Sequence, residues 1–276
     1  MIAAVIENYG NPSVFKMKDI PVPELKEGEI LVRNHASSVN PIDTLVRQGK
    51  TRIVTGLFGD KVIGADLSGR VSSSRNAAFK PGDEVFGFLN AANGGSYAEY
   101  VVVKGSNITL KPNNLDFTEA ASLPLVAATA WQGMVILGKL KNNHKVLITG
   151  CTGGVGTAAV QIARSFQAHV TGTCSAKNAD FAKQLGCDQV VIYDQEKIAV
   201  HESFDLIFDA SGKFTFSDFK EQLNNGAMFV STRGKMDGFR GTLLTIKDLL
   251  FSSQMKIVVV KPNQEVLQKI KSLACQ

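Results

Sequence analysis

Two textures of apolar and polar positions divide the chain. Over roughly the first 120 residues, short apolar or alternating pieces are broken by Pro and Gly: AAVI (3–6), EILVRNHASSV (29–39), ADLSGRVSSS (65–74), DEVFGF (83–88) and YAEYVVV (97–103). They predict an antiparallel, barrel-like β domain. From Lys145 onward the pattern changes to short continuous apolar runs: KVLITG (145–150), HVTGTCS (169–175), QVVIY (189–193), FDLIFDAS (204–211), AMFVST (227–232) and KIVVV (256–260). These read as buried parallel strands. Between the first two, Val155, Ala159, Ile162 and Phe166 recur at helical spacing while Gln161, Arg164 and Gln167 face elsewhere, which predicts a helix packed on a sheet. The fold class expected is α/β, a doubly wound parallel sheet behind a smaller β domain. The boundary is expected in the largely apolar segment Glu119–Lys139, dividing the chain into 1–121 and 122–276.

Composition narrows the class. The chain has 276 residues, 44% apolar and 20% charged, which suits two folded domains and excludes wholesale disorder. Thirty Lys and Arg against 25 Asp and Glu give +5, spread without a run of like charge that would mark a nucleic-acid patch. Cys151, Cys174, Cys187 and Cys275 form no CxxC and have no His partner at metal-ligand spacing. They suit a reducing compartment and argue against structural zinc. The N-terminus lacks a basic leader, and the longest nearly apolar stretch, Leu123–Leu137, is too short to span a bilayer, so a cytoplasmic protein is expected.

The chemistry concentrates after the first apolar run of the second half. KVLIT leads into Gly150-Cys151-Thr152-Gly153-Gly154-Val155-Gly156 and then into the helix. A strand, a glycine-rich turn and a helix, within a βαβ unit ending at Cys174, read as a dinucleotide site, in which the backbone approaches a pyrophosphate closely and the helix N-terminus faces it; a structural glycine turn is the alternative. Gly150, Gly153, Gly154, Val155 and Gly156 are the expected contacts. No acid ends the second strand to take the adenosine ribose; the first is Asp180. Ser175 and Lys177 stand there instead, each able to give a 2′-phosphate a bond worth about 1.5–3 kcal/mol, so NADPH is the expected cofactor. Lys177 as a solvated helix-start residue, and Tyr193 beside it as packing alone, stay open as alternatives.

Taken together, SSVNPIDTLVRQG (37–49), GADLSGRV (64–71), FKPGDEVFG (79–87), ASLPLVAATAWQGM (121–134) and ITGCTGGVGTAAVQIA (148–163) resemble the zinc-free quinone oxidoreductase branch of the medium-chain dehydrogenase/reductase family, the group of zeta-crystallin. The resemblance implies a GroES-like catalytic domain and a Rossmann domain with a cleft between them. It also implies NADPH held by Ser175, Lys177 and Tyr193, and hydride transfer to a quinone or an α,β-unsaturated carbonyl. In zinc-dependent relatives a Cys ligand stands in the region of Ser38–Asn40 and a His-Glu pair at Ala65-Asp66; neither is present, nor is a cysteine lobe in GFLNAANGGSYAEY (87–100). The family continues past a segment like VVVKPNQEVLQKIKSL with elements that return to the catalytic domain, so an incomplete sheet is expected there. Cys151 replaces the usual small residue. A homodimer through the Rossmann sheet edge, with KIVVV as the edge strand, is also implied.

Asn40 is the expected donor to the carbonyl oxygen of the acceptor, against an Asn-Pro turn with Pro41. Asp43 either orients the site or caps the following helix. By resemblance Thr129 approaches the nicotinamide, against back-bonding within its helix. Ser211 and Thr232 stand at strand ends where open α/β sheets bind ligands, or cap helices. His35, His144, His169 and His201 match no catalytic spacing, and water is the expected proton source. The competing expectation is an NADPH-binding sensor or RNA-binding relative with little turnover.

Overall fold

A computed structural model describes residues 1–51, 60–90, 94–195, 202–232 and 252–275. The chain divides into two compact units, Met1–Ala128 with Lys261–Gln276, and Thr129–Val260. His201 lies outside the described residues.

In the first unit, strands β3 (Glu29–Ala36), β5 (Asp66–Ser74), β6 (Glu84–Phe88), β7 (Tyr100–Lys104) and β8 (Ile108–Leu110) form an antiparallel sheet in the order β7-β3-β5-β6-β8. Strands β1 (Ile2–Ile6), β2 (Phe15–Asp19) and β4 (Lys61–Val62) make a second antiparallel sheet, joined to Ala98 by a bridge at Ala3. Alternation places Ile30, Val32, Leu67, Val71, Val85, Val101, Val103 and Ile108 in one core with Phe79. Strand β2 carries FKMKD and β8 is short, so neither shows the apolar pattern that marks the other strands. Helix α1 (Pro41–Arg47) follows β3; α2 (Phe117–Ala121) follows β8, and α3 (Pro124–Trp131) begins in this unit.

The second unit is a six-stranded parallel sheet of β9 (Lys145–Thr149), β10 (His169–Cys174), β11 (Gln189–Ile192), β12 (Phe204–Asp209), β13 (Leu223–Ser231) and β14 (Met255–Ile257). Its order, β11-β10-β9-β12-β13-β14, is the dinucleotide-binding one, with the switch point between β9 and β12. Helix α4 (Gly154–Ser165) buries Gly156, Ala159, Val160, Ile162 and Ala163, while Val155 and Phe166 are half-buried at the ends of that stripe. Helix α5 (Ala179–Gln184) packs by β11. Strand β14 ends at Ile257, so Val258–Val260 of the KIVVV run lie beyond it.

The division differs from the expected one at both ends. The boundary follows Ala128 rather than residue 121, and residues 261–276 belong with the first unit, not the second. Helix α6 (Gln264–Ala274) starts at Asn263, whose side chain accepts from Val266 N at 3.0 Å. It buries Val266, Leu267 and Ile270 and packs on β8, and Asn114 Nδ2 donates to Ala274 O at 2.8 Å. An amphipathic helix must cover its apolar stripe, and β8 supplies the partner. Among the described residues no helix is long and apolar enough to cross a membrane. Leu267→Ala is expected to destabilise the first unit by about 2–5 kcal/mol, read by chemical denaturation together with faster amide exchange in β8.

Candidate functional site

The switch point is built from backbone first. Gly150 follows β9 with φ +64, a left-handed conformation that glycine adopts without strain, and a Cβ there would stand 3.1 Å from Ser211 Cβ. Its N–H reaches Thr173 Oγ1 (3.2 Å), and Cys151 N donates to Thr173 O (3.0 Å), tying the loop to β10. Gly153 is the N-cap of α4 and no side chain caps that helix, so the first-turn amides of Gly154, Val155 and Gly156 lie without a side-chain cap at the positive end of the helix dipole. Gly156 carries the tightest contact: a Cβ on it would lie 2.1 Å from Gly150 O and 2.8 Å from Cys151 Cα. Gly153 has more room, its nearest neighbour being Gly150 O at 3.4 Å.

Beneath the loop sits a carboxylate that the sequence reading missed. Asp209, fully buried at the end of β12, accepts from Thr149 Oγ1 (2.6 Å) and Ser211 Oγ (2.7 Å) on one oxygen and from Ser231 Oγ (2.8 Å) and Phe214 N (3.2 Å) on the other. Ser211 is therefore bonded to Asp209 rather than capping a helix. Thr232 donates through N and Oγ1 to the Asp209 carbonyl, and the residues after it lie outside the described ones. The signal was an acid closing an otherwise apolar strand, FDLIFD, which must find several donors once buried.

At the end of β10, Ser175 is half-buried and begins a 3-10 turn, Lys177 is exposed, and Tyr193 is half exposed with its N–H on Cys174 O (3.1 Å). The structure thus brings Ser175, Lys177 and Tyr193 to one corner. It also brings an acid there: Asp194 accepts from Ala176 N at 3.0 Å. The expectation of an acid-free corner is corrected, because Asp194 comes from the neighbouring strand's end, out of reach of a search along β10. Asn178 Nδ2 donates to Thr152 Oγ1 (3.3 Å), linking this corner to the glycine loop. Thr129 is buried in α3.

In the first unit, Ser38, Asn40, Asp43, Asp66 and Tyr97 form a second polar cluster. Asn40 Nδ2 donates to Asp66 Oδ2 (2.8 Å) and Ser38 Oγ (3.0 Å), Ser38 Oγ donates to Asp66, and Leu125 N donates to Asp66 Oδ1 (2.8 Å). Both amide hydrogens of Asn40 are thereby engaged, and a substrate carbonyl would have to displace one of these partners to be bonded by them. Asp43 accepts from Asn40 N (2.8 Å), which closes the start of α1, and from Tyr97 OH (3.1 Å). Its Oδ1 is buried without a partner. Burial raises the Asp43 carboxyl above its ordinary range, and burial with the adjacent Asp43 charge raises the Tyr97 phenol. Burial pushes Asp66 up to about 6 against the bonds from Ser38, Asn40 and Leu125. Hydroxyls, an amide and two carboxylates, bonded among themselves, offer neither thiolate nor imidazole, a donor set unsuited to zinc. Among the described residues no cluster of His, Cys, Asp and Glu could hold a metal.

Gly156→Ala is expected to destabilise the second unit by about 1–3 kcal/mol and to weaken dinucleotide binding, checked by melting and by titration with NADPH. Asp66 binds a proton more tightly folded than unfolded, so its stabilising contribution is full below about pH 4 and is lost as pH rises through about 6, by about 3 kcal/mol at most. Asp66→Asn should remove that slope from melting temperature against pH.

Comparison with known proteins bears on both units. Residues 26–113 match the model of the alcohol dehydrogenase GroES-like domain and 154–254 that of the zinc-binding dehydrogenase. The chain is 36% identical over 257 residues to the mitochondrial NAD(P)H oxidoreductase RTN4IP1 of Danio rerio, covering 84% of this chain and 66% of that protein. It is 32% identical over 233 residues to the chloroplastic quinone-oxidoreductase homolog of Spinacia oleracea, covering 80% and 71%. The chain therefore spans just under two thirds of the Danio rerio protein. The solved quinone oxidoreductase of Coxiella burnetii superposes with a TM-score of 0.86 at 29% identity, covering 100% of this chain and 87% of that one. A GroES-like unit, a six-stranded Rossmann sheet and these relatives together establish that the chain belongs to the quinone oxidoreductase branch of the medium-chain dehydrogenase/reductase family.

Proposed function

We propose that the protein is an NADPH-dependent oxidoreductase that reduces quinones or the β-carbon of α,β-unsaturated carbonyls without zinc. The observation that carries this reading is the uncapped N-terminus of α4 under a loop in which Gly156 leaves no space for a side chain, set at the switch point of a dinucleotide-type sheet. The nicotinamide, when bound, supplies the hydride. The chain's own part is to hold and orient. The amides of Gly154, Val155 and Gly156 take the pyrophosphate, and Gly150 and Gly153 shape the turn that admits it. Ser175 and Lys177 take the 2′-phosphate with Tyr193 alongside. Thr129, Ser211 and Thr232 belong to the nicotinamide side of the same reading. Asn40 and Asp43 serve as positioning residues of the acceptor pocket, fixed by Asp66 and Tyr97, and the final proton comes from water. A quinone and an enone share one electrophile, a carbon-carbon double bond conjugated to a carbonyl, so one geometry serves both. The name of the Spinacia oleracea relative supports the quinone.

Asp194 beside Ala176 N places a negative charge in the corner assigned to the 2′-phosphate, which the Lys177 ammonium offsets. Lys177→Ala is expected to weaken NADPH binding about tenfold and leave NADH nearly unchanged; equal losses for both cofactors overturn the phosphate assignment. Asp194→Asn is expected to shift the preference further toward NADPH. Turnover is tested by NADPH consumption with phenanthrenequinone, benzoquinone and an alkenal. A flat absorbance with every acceptor, despite NADPH binding, overturns the enzyme reading in favour of a cofactor-binding protein.

A further inference from the structure

Three of the four cysteines, far apart in sequence, converge beneath the dinucleotide loop. Cys151 follows Gly150 in that loop, Cys174 ends β10 just before Ser175, and Cys187 precedes β11; all three are buried. The meeting point is above Gly172 in β10. A Cβ on Gly172 would stand 2.6 Å from Cys187 Sγ, 2.7 Å from Cys151 Sγ and 3.0 Å from Cys151 Cβ, so the two sulfurs occupy the space that this glycine leaves open. The Cys151 thiol lies beside those of Cys187 and Cys174. These thiols are free, and nothing in the hydride-transfer reading uses them.

We propose that Cys151 and Cys187 form a peroxide-responsive thiol pair whose oxidation to a disulfide displaces the dinucleotide loop and releases NADPH. Cys187 is the thiol attacked first. The neighbouring Cys151 thiol holds the Cys187 thiol below its ordinary range, which favours its thiolate, and Cys187 is the most accessible of the three, at 7%. Its thiolate takes the terminal oxygen of hydrogen peroxide, giving a sulfenic acid and, with one proton, water. The Cys151 sulfur then attacks the sulfenic sulfur; the S–O bond breaks, a second water leaves, and two thiols have been oxidised as one peroxide is reduced. A disulfide draws the sulfurs to about 2.05 Å, well inside a thiol hydrogen bond. Cys151 is the moving partner with a consequence, because its backbone lies against Gly156 in the first turn of α4 and its N–H is fixed to Thr173 O. Pulling Cys151 toward Cys187 therefore disturbs the turn whose amides hold the pyrophosphate.

The inference rests on the placement of the dinucleotide on this loop, and the experiment separates the two. The full chain is reduced, treated with hydrogen peroxide under native conditions, cleared with catalase, and divided for peptide mapping without reductant and for NADPH titration by fluorescence. The expected result is a Cys151–Cys187 linked peptide and NADPH affinity lowered about tenfold, both reversed by dithiothreitol. Cys187→Ala should bind NADPH as the parent does and keep that affinity after peroxide, and Cys174→Ala should still give the linked peptide. Oxidation confined to the exposed Cys275, or a Cys151–Cys187 disulfide that leaves NADPH affinity unchanged, overturns the proposal. A reduced parent that does not bind NADPH overturns the cofactor reading and the coupling with it, whereas a reduced parent that binds and does not respond overturns the switch alone.

Discussion

A carboxylate taken out of water must find its hydrogen bonds inside the protein, and the second unit is organised around that requirement at Asp209. Four donors from β9, from β13 and from the chain after β12 meet its two oxygens. Losing one would leave a buried charge short of a partner, which costs more than the bond itself contributes. The ends of β9, β12 and β13 are therefore held in one register, and the loops that leave them start from fixed points. The glycine loop inherits this precision: Gly150 departs beside Ser211, itself bonded to Asp209, and its carbonyl sits over Gly156.

The first unit solves the same problem differently. Asp66 is satisfied by Ser38, Asn40 and the amide of Leu125, and so fastens the loop before α1 to the start of α3. Its donors do not fully offset burial, and the carboxyl rises to about 6. The engagement of both Asn40 hydrogens changes the part this residue can play. It holds the cluster together, and the Tyr97–Asp43 contact fixes the same turn from the other side.

The corner at the end of β10 illustrates how separate strand ends make one chemical environment. Lys177 and Asp194 follow different strands, yet Asp194 reaches Ala176 N and shares the corner with Lys177. Charge at this corner is a sum over both, which a reading along β10 alone does not contain. The cysteines follow the same logic, since Gly172 provides the gap that lets Cys151 and Cys187 meet.

Local pattern determined much by itself. Continuous apolar runs marked β9 to β13, because strands buried on both faces need no polar alternation, and the strand, glycine turn and helix at 145–165 could be read from spacing alone. Gly150 and Gly156 were legible from the glycine spacing between strand and helix, but that Gly156 rather than Gly153 is the glycine with no room for a side chain is a fact of the folded backbone. What only the tertiary structure decided were the contacts between residues distant in sequence: Asp209 with Ser231, Asp66 with Asn40 and Leu125, Asp194 with Ala176, and Cys151 with Cys187. Helix α6 belongs with them, for its apolar stripe announces that it must pack but not on what, and only the fold brings β8 to it. Periodicity encodes which face of an element is buried; the partner across that face is chosen by the register and order of strands, which no local window contains.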